Sequence, residues 1–135
     1  MSGLGPSSPA GSRLVRWLIL LIGLHSCALG VFVLAAPRLM LGWLGFEQPA
    51  DVFFPSQGGV FLLILGLCYL LALSEPALVK IILISKSMAV VFLVIHAAFL
   101  SAPAVIWAAA AGDGGMLIAL SAALLRDRIV RPPDH

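Results

Sequence analysis

The sequence predicts an all-α polytopic membrane protein: an antiparallel bundle of four transmembrane helices, with an interfacial outer loop between the first two. Three observations carry this expectation. Of 135 residues, 61% are hydrophobic and only 10% are charged, whereas an ordinary soluble domain carries about 25% charge. The mean hydropathy is +1.12, and uncharged apolar runs of about 20 residues are long enough to cross a bilayer. Four such runs follow one another, and prolines stand at nearly every boundary between them.

The chain opens with "MSGLGPSSPAGS", residues 1–12, whose Gly, Ser and Pro content predicts a disordered tail. Arg13 and Arg16 then introduce the first segment, Leu14–Ala36. A basic start followed by an apolar run has the outline of a secretory signal. The run from Trp17 to Ala36 is about 20 residues, however, and a cleavable core has about 7–15, so a retained first helix is expected. The outer loop "PRLMLGWLGFEQPADVFFP" follows. Its Leu39, Leu41, Trp43, Leu44, Phe46, Phe53 and Phe54 suit a segment lying in the membrane interface. The second segment is Ser56–Leu73, short but uncharged. In "SEPALVK", Ser74 or Glu75 is expected to cap the third segment, Ala77–Leu100, with Pro76 in its opening turn, where a missing N–H costs nothing. Pro103 introduces the fourth, Ala104–Leu125. The transmembrane domain is thus 13–126, and 127–135 is a short tail.

Orientation follows from the placement of Lys and Arg. With the N-terminus inside, Arg13, Arg16, Lys80, Arg126, Arg128 and Arg131 share the inner side, and Arg38 stands alone outside. Both termini are therefore expected in the cytoplasm, in a plasma (inner) membrane. Trp17 and Tyr69 are assigned to an inner aromatic belt and Trp107 to the outer one. No basic run suited to nucleic acid occurs, so the expected partners are the lipid bilayer and a membrane protein or a second copy of the chain.

Lipid tails are as apolar as leucine, so membrane helices associate through close packing of small residues. The first segment offers Gly23, Cys27 and Gly30, with Ser26 beside them. The second offers Gly58, Gly59 and Gly66. In the fourth, Ala111, Gly115, Ala119 and Ala123 recur every fourth residue, which predicts a helix that is either central or the contact to a second subunit. Cys27 and Cys68 fall at depths roughly 12 Å apart, too far for a disulfide. No CxxC is present, which disfavours thiol redox chemistry.

Polar groups at bilayer depth cost several kcal/mol by insertion scales and call for a reason. Counted at 1.5 Å per residue from the inner ends, His25 lies about 16 Å deep, Lys86 about 10–13 Å, Asp113 about 18 Å and His96 about 25–28 Å. The third and fourth segments are neighbours through their short connection, so a pair between Lys86 and Asp113 is within reach, with His25 at a similar level. Three readings follow: a structural ion pair that fixes helix register, a protonatable carboxylate, or a helix broken at "GDGG" with Asp113 capping its second half. Lys86 also has the option of snorkelling to the inner surface without meeting Asp113. His96, Tyr69 and Gln57 are secondary polar candidates. His25 and His96 differ by roughly 10 Å in height, which opposes a shared haem. A single Asp among apolar neighbours cannot hold a divalent cation, and no hydrolase, metalloprotease or phosphate-loop motif occurs. No cofactor, metal or catalytic residue is therefore expected.

The stretches "GGVFLLILGLCYLLALSEP" and "AAGDGGMLIAL", with Lys86 between them, resemble small four-helix bacterial inner-membrane proteins, broadly DoxX-like. The resemblance implies a four-helix bundle with cytoplasmic termini and carries over no catalytic residue. The functional expectation is a non-catalytic accessory or scaffolding subunit packed against a membrane partner. The alternative is a small proton-linked transporter or hydrophobic-ligand-binding bundle that uses Asp113. A lipid- or quinone-directed membrane enzyme stands third.

Overall fold

A computed structural model describes residues 12–130. They form α1 (Arg13–Ala35), a short α2 (Pro37–Trp43), α3 (Phe53–Leu71), a 3-10 turn (Pro76–Leu78), α4 (Val79–Phe99) and α5 (Val105–Val130). Four stretches, α1, α3, the 3-10 turn joined to α4, and α5, of 23, 19, 24 and 26 residues, are long and apolar enough to cross a membrane. At 1.5 Å per residue the shortest extends about 28 Å, close to the roughly 30 Å hydrocarbon thickness. The protein is an all-α, four-helix, multi-pass membrane protein.

The bundle consists of two antiparallel hairpins. In the first, α1 and α3 approach until backbone meets backbone. A Cβ added at Gly30 would stand 2.5 Å from the Leu63 amide nitrogen, and one at Gly66 would stand 2.6 Å from Cys27 N and Sγ. Gly59 against the Leu34 amide nitrogen repeats the pattern at 2.7 Å, while a Cβ at Gly23 would first meet the Leu70 side chain at 2.7 Å, with the Leu70 amide nitrogen at 3.3 Å. Glycine is required at this crossing because any side chain would force the helices apart and forfeit the contacts that hold them in lipid. The second hairpin is α4 with α5, turned through Leu100–Ala104, where Ser101 takes a left-handed φ of 55°.

The hairpins meet mainly near the end of the bundle that carries α1's first residue and α5's last, here called the basic end. Val15, Ile19 and Ile22 of α1, Tyr69 and Ala72 at the end of α3, Ile82 at the start of α4, and Leu120 and Ala123 of α5 form one buried cluster there. The Ser12 amide donates to Asp127 Oδ2 at 2.5 Å, and Arg16 Nη1 donates to the Leu73 carbonyl at 3.1 Å, which ties three elements together at this end.

Local details fill in the expected scheme and in places overturn it. The loop expected between the first two spans is present and opens with a short helix, α2, at Pro37. Trp43 is exposed and its ring stands 5.3 Å from that of Phe32. Arg38 closes the loop by donating to the carbonyls of Pro49 and Ala50, and Gln48 Nε2 donates back to the Arg38 carbonyl at 3.0 Å. Phe53 and Phe54 belong to the first turn of α3, which begins three residues earlier than expected, after Asp51 accepts from the Phe53 amide at 2.8 Å. Glu75 holds the N-cap position of the 3-10 turn that Pro76 opens, as expected, but makes no side-chain capping bond, and Ser74 Oγ donates backwards to the Leu71 carbonyl at 3.0 Å. The fourth span runs on to Val130, so residues 127–130 of the expected tail are helical. The tail expected at 1–12 lies outside the described residues except for Ser12, which accepts from the Val15 amide as the N-cap of α1; 131–135 also lie outside.

Candidate functional site

Two side-chain polar links join α3, α4 and α5 inside the bundle. Lys86, in the second turn of α4, and Asp113, in the third turn of α5, face each other across the hairpin. Lys86 Nζ donates to Asp113 Oδ1 at 2.6 Å, and the two side chains are 7% and 18% exposed. Lys86 therefore does not snorkel to the surface. A lysine stem is long enough to span the gap between neighbouring helices, and pairing inside removes the need to reach water.

The helix-break reading of "GDGG" is overturned, because α5 is continuous through Gly112, Asp113, Gly114 and Gly115. Magnitudes explain why. Each glycine costs a helix about 1 kcal/mol relative to alanine. A break at this depth would leave several backbone N–H and C=O groups unpaired in hydrocarbon, at several kcal/mol each. Continuity wins. Asp113 is thus free of any capping duty and points at α4.

Beside the ion pair is a second polar link. Tyr69, 2% exposed, hydrogen-bonds through its hydroxyl to Ser85 Oγ at 2.5 Å. Ser85 Oγ in turn donates to the Ile81 carbonyl at 2.5 Å, so Tyr69 is the donor in the first bond. Ser85 immediately precedes Lys86 in α4, so the two polar links leave the same turn of that helix. Tyr69 is consequently not part of a lipid-facing belt, whereas Trp17, 63% exposed, is placed to be. Ser85 escaped sequence reasoning because a serine in a membrane helix usually satisfies itself on the carbonyl four residues back, and so looks neutral.

The other candidates stand apart. His25 is exposed on α1. The buried row of that helix is Val15, Ile19, Ile22 and Ser26, and one residue's step, about 100°, turns His25 out of it. His25 therefore does not join Lys86 and Asp113. His96 lies in the last turn of α4, its Nδ1 2.8 Å from the Phe92 carbonyl and its ring centroid 3.9 Å from that of Phe92, tilted by 34°. Gln57 is exposed and lines an apolar groove of about 390 Å³ with Leu34, Phe53 and Phe61. Cys27 and Cys68 are free thiols, and no cluster of three or more His, Cys, Asp or Glu exists among the described residues.

Among the small residues, Gly23, Cys27 and Gly30 pack against α3. The stripe on α5 behaves differently. Ala111, Gly115 and Ala119 are exposed, and only Ala123 is buried. An every-fourth-residue row drifts about 40° per step around a helix of 3.6 residues per turn, so it reaches the buried face by Ala123. The outward row continues instead through Ala122, also exposed. α5 is therefore not the central helix of the bundle.

Fold and site together define a class: a small multi-pass integral membrane protein with a paired Lys–Asp inside one hairpin. No family model, curated protein or solved structure matches the chain.

Proposed function

We propose that this protein is a non-catalytic accessory or scaffolding subunit of a plasma (inner) membrane, with both termini cytoplasmic, that packs against a membrane partner or a second copy through α5. The carrying observation is the outward face of that helix. Ala108, Ala111, Gly112, Gly115, Ala119 and Ala122 are all exposed, and a Cβ placed on Gly112 or Gly115 would meet nothing within 4 Å. Small residues in lipid are useful where another helix comes close, and no helix among the described residues covers this face. Asp113 lies on the opposite side, engaged with Lys86, which leaves the outward face uncharged. Resemblance to DoxX-like bundles and the concentration of Arg and Lys at one end support the same orientation.

The test is association in native membranes. Two differently tagged copies, and membrane proteins cross-linked to either, are captured from mild detergent. Gly115→Leu and Ala111→Leu should abolish the capture without lowering the yield of monodisperse protein. Wild-type protein that is monomeric and captures no membrane protein, or leucine variants that associate normally, would refute the reading. Cysteines placed at Ser12 and Gln48, in a background lacking Cys27 and Cys68, should label from the cytoplasmic and outer sides respectively.

The alternative, a proton-linked transporter or hydrophobic-ligand bundle built on Asp113, draws on the 18% of that side chain left exposed. It requires Asp113→Asn to abolish proton-coupled flux in vesicles while folded yield is kept. The direct ammonium partner favours the structural role.

A further inference from the structure

The basic end holds a cavity of about 400 Å³, within the range of ligand sites. Its walls are of two kinds. Val15, Ile19, Leu83 and Leu124 form an apolar floor where the two hairpins meet, and Lys80 and Arg128 stand at the rim. Lys80 lies three residues from Leu83, and Arg128 four from Leu124, so the cations sit roughly 4.5–6 Å above the floor along the helix axes. Asp127 also reaches the rim, where its Oδ2 is taken by the Ser12 amide. Arg13 and Arg16 on α1 and the exposed Trp17 mark the same level as the boundary between hydrocarbon and headgroups.

We propose that this cavity is a binding site for an anionic phospholipid of the leaflet that surrounds the basic end. The lipid phosphate engages Lys80 and Arg128, and the upper part of an acyl chain fills the space over Leu83 and Leu124. Charge complementarity and the order of the layers single out this occupant. A soluble anion uses the cations but leaves the apolar floor wet, and a zwitterionic lipid fills the floor but brings a choline to a cationic rim. Basic pockets between transmembrane helices recognise anionic headgroups on this principle. The site is independent of the outward face of α5 and stands whether or not that face binds a partner.

The experiment uses the full chain in detergent micelles. Dioleoyl phosphatidylglycerol and dioleoyl phosphatidylcholine are titrated separately, and bound lipid per protein is read by native mass spectrometry. Wild-type protein should retain the anionic lipid preferentially. Each cation near a membrane surface contributes about a fivefold preference, so Lys80→Gln with Arg128→Gln should lower phosphatidylglycerol affinity on the order of twenty-five-fold. Lys80→Arg should keep it. Arg38→Gln, at the other end, should leave it unchanged. Leu83→Trp, which fills the floor and spares both cations, should lose binding, with unchanged monodispersity showing that the fold survives. Equal retention of the two lipids by wild-type protein, or equal losses in Arg38→Gln and the double variant, would overturn the proposal. Displacement by glycerol phosphate at the lipid's own concentration would assign the cations to a free phosphate and overturn it as well.

Discussion

Removing one member of the Lys86–Asp113 pair tests what the polar layer does. Asp113→Asn leaves an ammonium that is 7% exposed facing a neutral amide. Two unit charges 2.6 Å apart attract by about 6 kcal/mol at an effective dielectric of about 20. Desolvation of both groups offsets much of that attraction, so the intact pair is worth little against an apolar pair of similar volume. Breaking it is a different matter, because the surviving charge keeps its desolvation cost and loses its partner, a penalty of about 3–5 kcal/mol. The 18% exposure of Asp113 places the expected loss at the lower end, about 3 kcal/mol. In a chain of this size that lowers the thermal midpoint on the order of 10 °C. Lys86→Met should lose a similar amount, and Lys86→Met with Asp113→Leu should recover most of it. The assay is the fraction of monodisperse protein remaining after heating, read by size exclusion. An Asp113→Asn variant as stable as wild type, or a double variant that loses the sum of both single losses, would refute the structural reading. Recovery of stability in the apolar double variant would also show that the fold does not need charge at this depth.

Two further perturbations probe the rest of the packing. Gly30→Ala and Gly66→Ala push a Cβ to 2.5 and 2.6 Å from backbone nitrogens of the facing helix and should each cost about 1–3 kcal/mol; Gly112→Ala meets nothing within 4 Å and should instead stabilise α5 by roughly 0.5–1 kcal/mol, with thermal midpoints giving both signs. Tyr69→Phe removes only the hydroxyl that donates to Ser85 and should cost about 0.5–1.5 kcal/mol, while Ser85→Ala should cost about the same and the two together no more than either alone.

How much of this was legible beforehand depended on which kind of signal a residue carries. The spans were readable because hydropathy over about 20 residues is a sum that no single neighbour can reverse. The Lys86–Asp113 pairing was readable too, as short connections force α4 and α5 to be adjacent and antiparallel, and rise per residue then fixes relative height. Height alone could not fix the azimuth. His25 has the right level and the wrong face, turned out by one residue from Ser26, and Tyr69 looked like an interfacial aromatic until its face was known. The side-chain capping bond expected of Ser74 or Glu75 failed to form for a different reason, since a 3-10 turn and a backward bond to Leu71 satisfied the same backbone by another route. The exposed state of Ala111, Gly115 and Ala119 was not readable, because a small residue marks closeness to some helix and does not say whose.

The two hairpins solve the same problem by different chemistry. Helices in lipid have no solvent-driven reason to associate, so their contacts draw on van der Waals packing, helped by backbone proximity or by a polar link. α1 and α3 use proximity: Gly30, Gly59 and Gly66 bring main chains together, and no ion pair joins these two helices among the described residues. α4 and α5 use the polar link. Gly114 has only Val90 Cγ2 near it, at 3.9 Å, and Gly112 and Gly115 meet nothing, so the glycines of α5 contribute no close approach to α4. The Lys86–Asp113 bond does that work instead. This division explains why "GDGG" carries both a charge and three glycines without breaking the helix. The charge faces inward and fixes the register of the hairpin. Gly112 and Gly115 face outward, so the same turn of α5 that locks one neighbour in place leaves a smooth surface open to another. Loss of Asp113 should therefore loosen α4 from α5 while leaving the α1–α3 crossing intact, a separation that cysteine cross-linking within each hairpin would resolve.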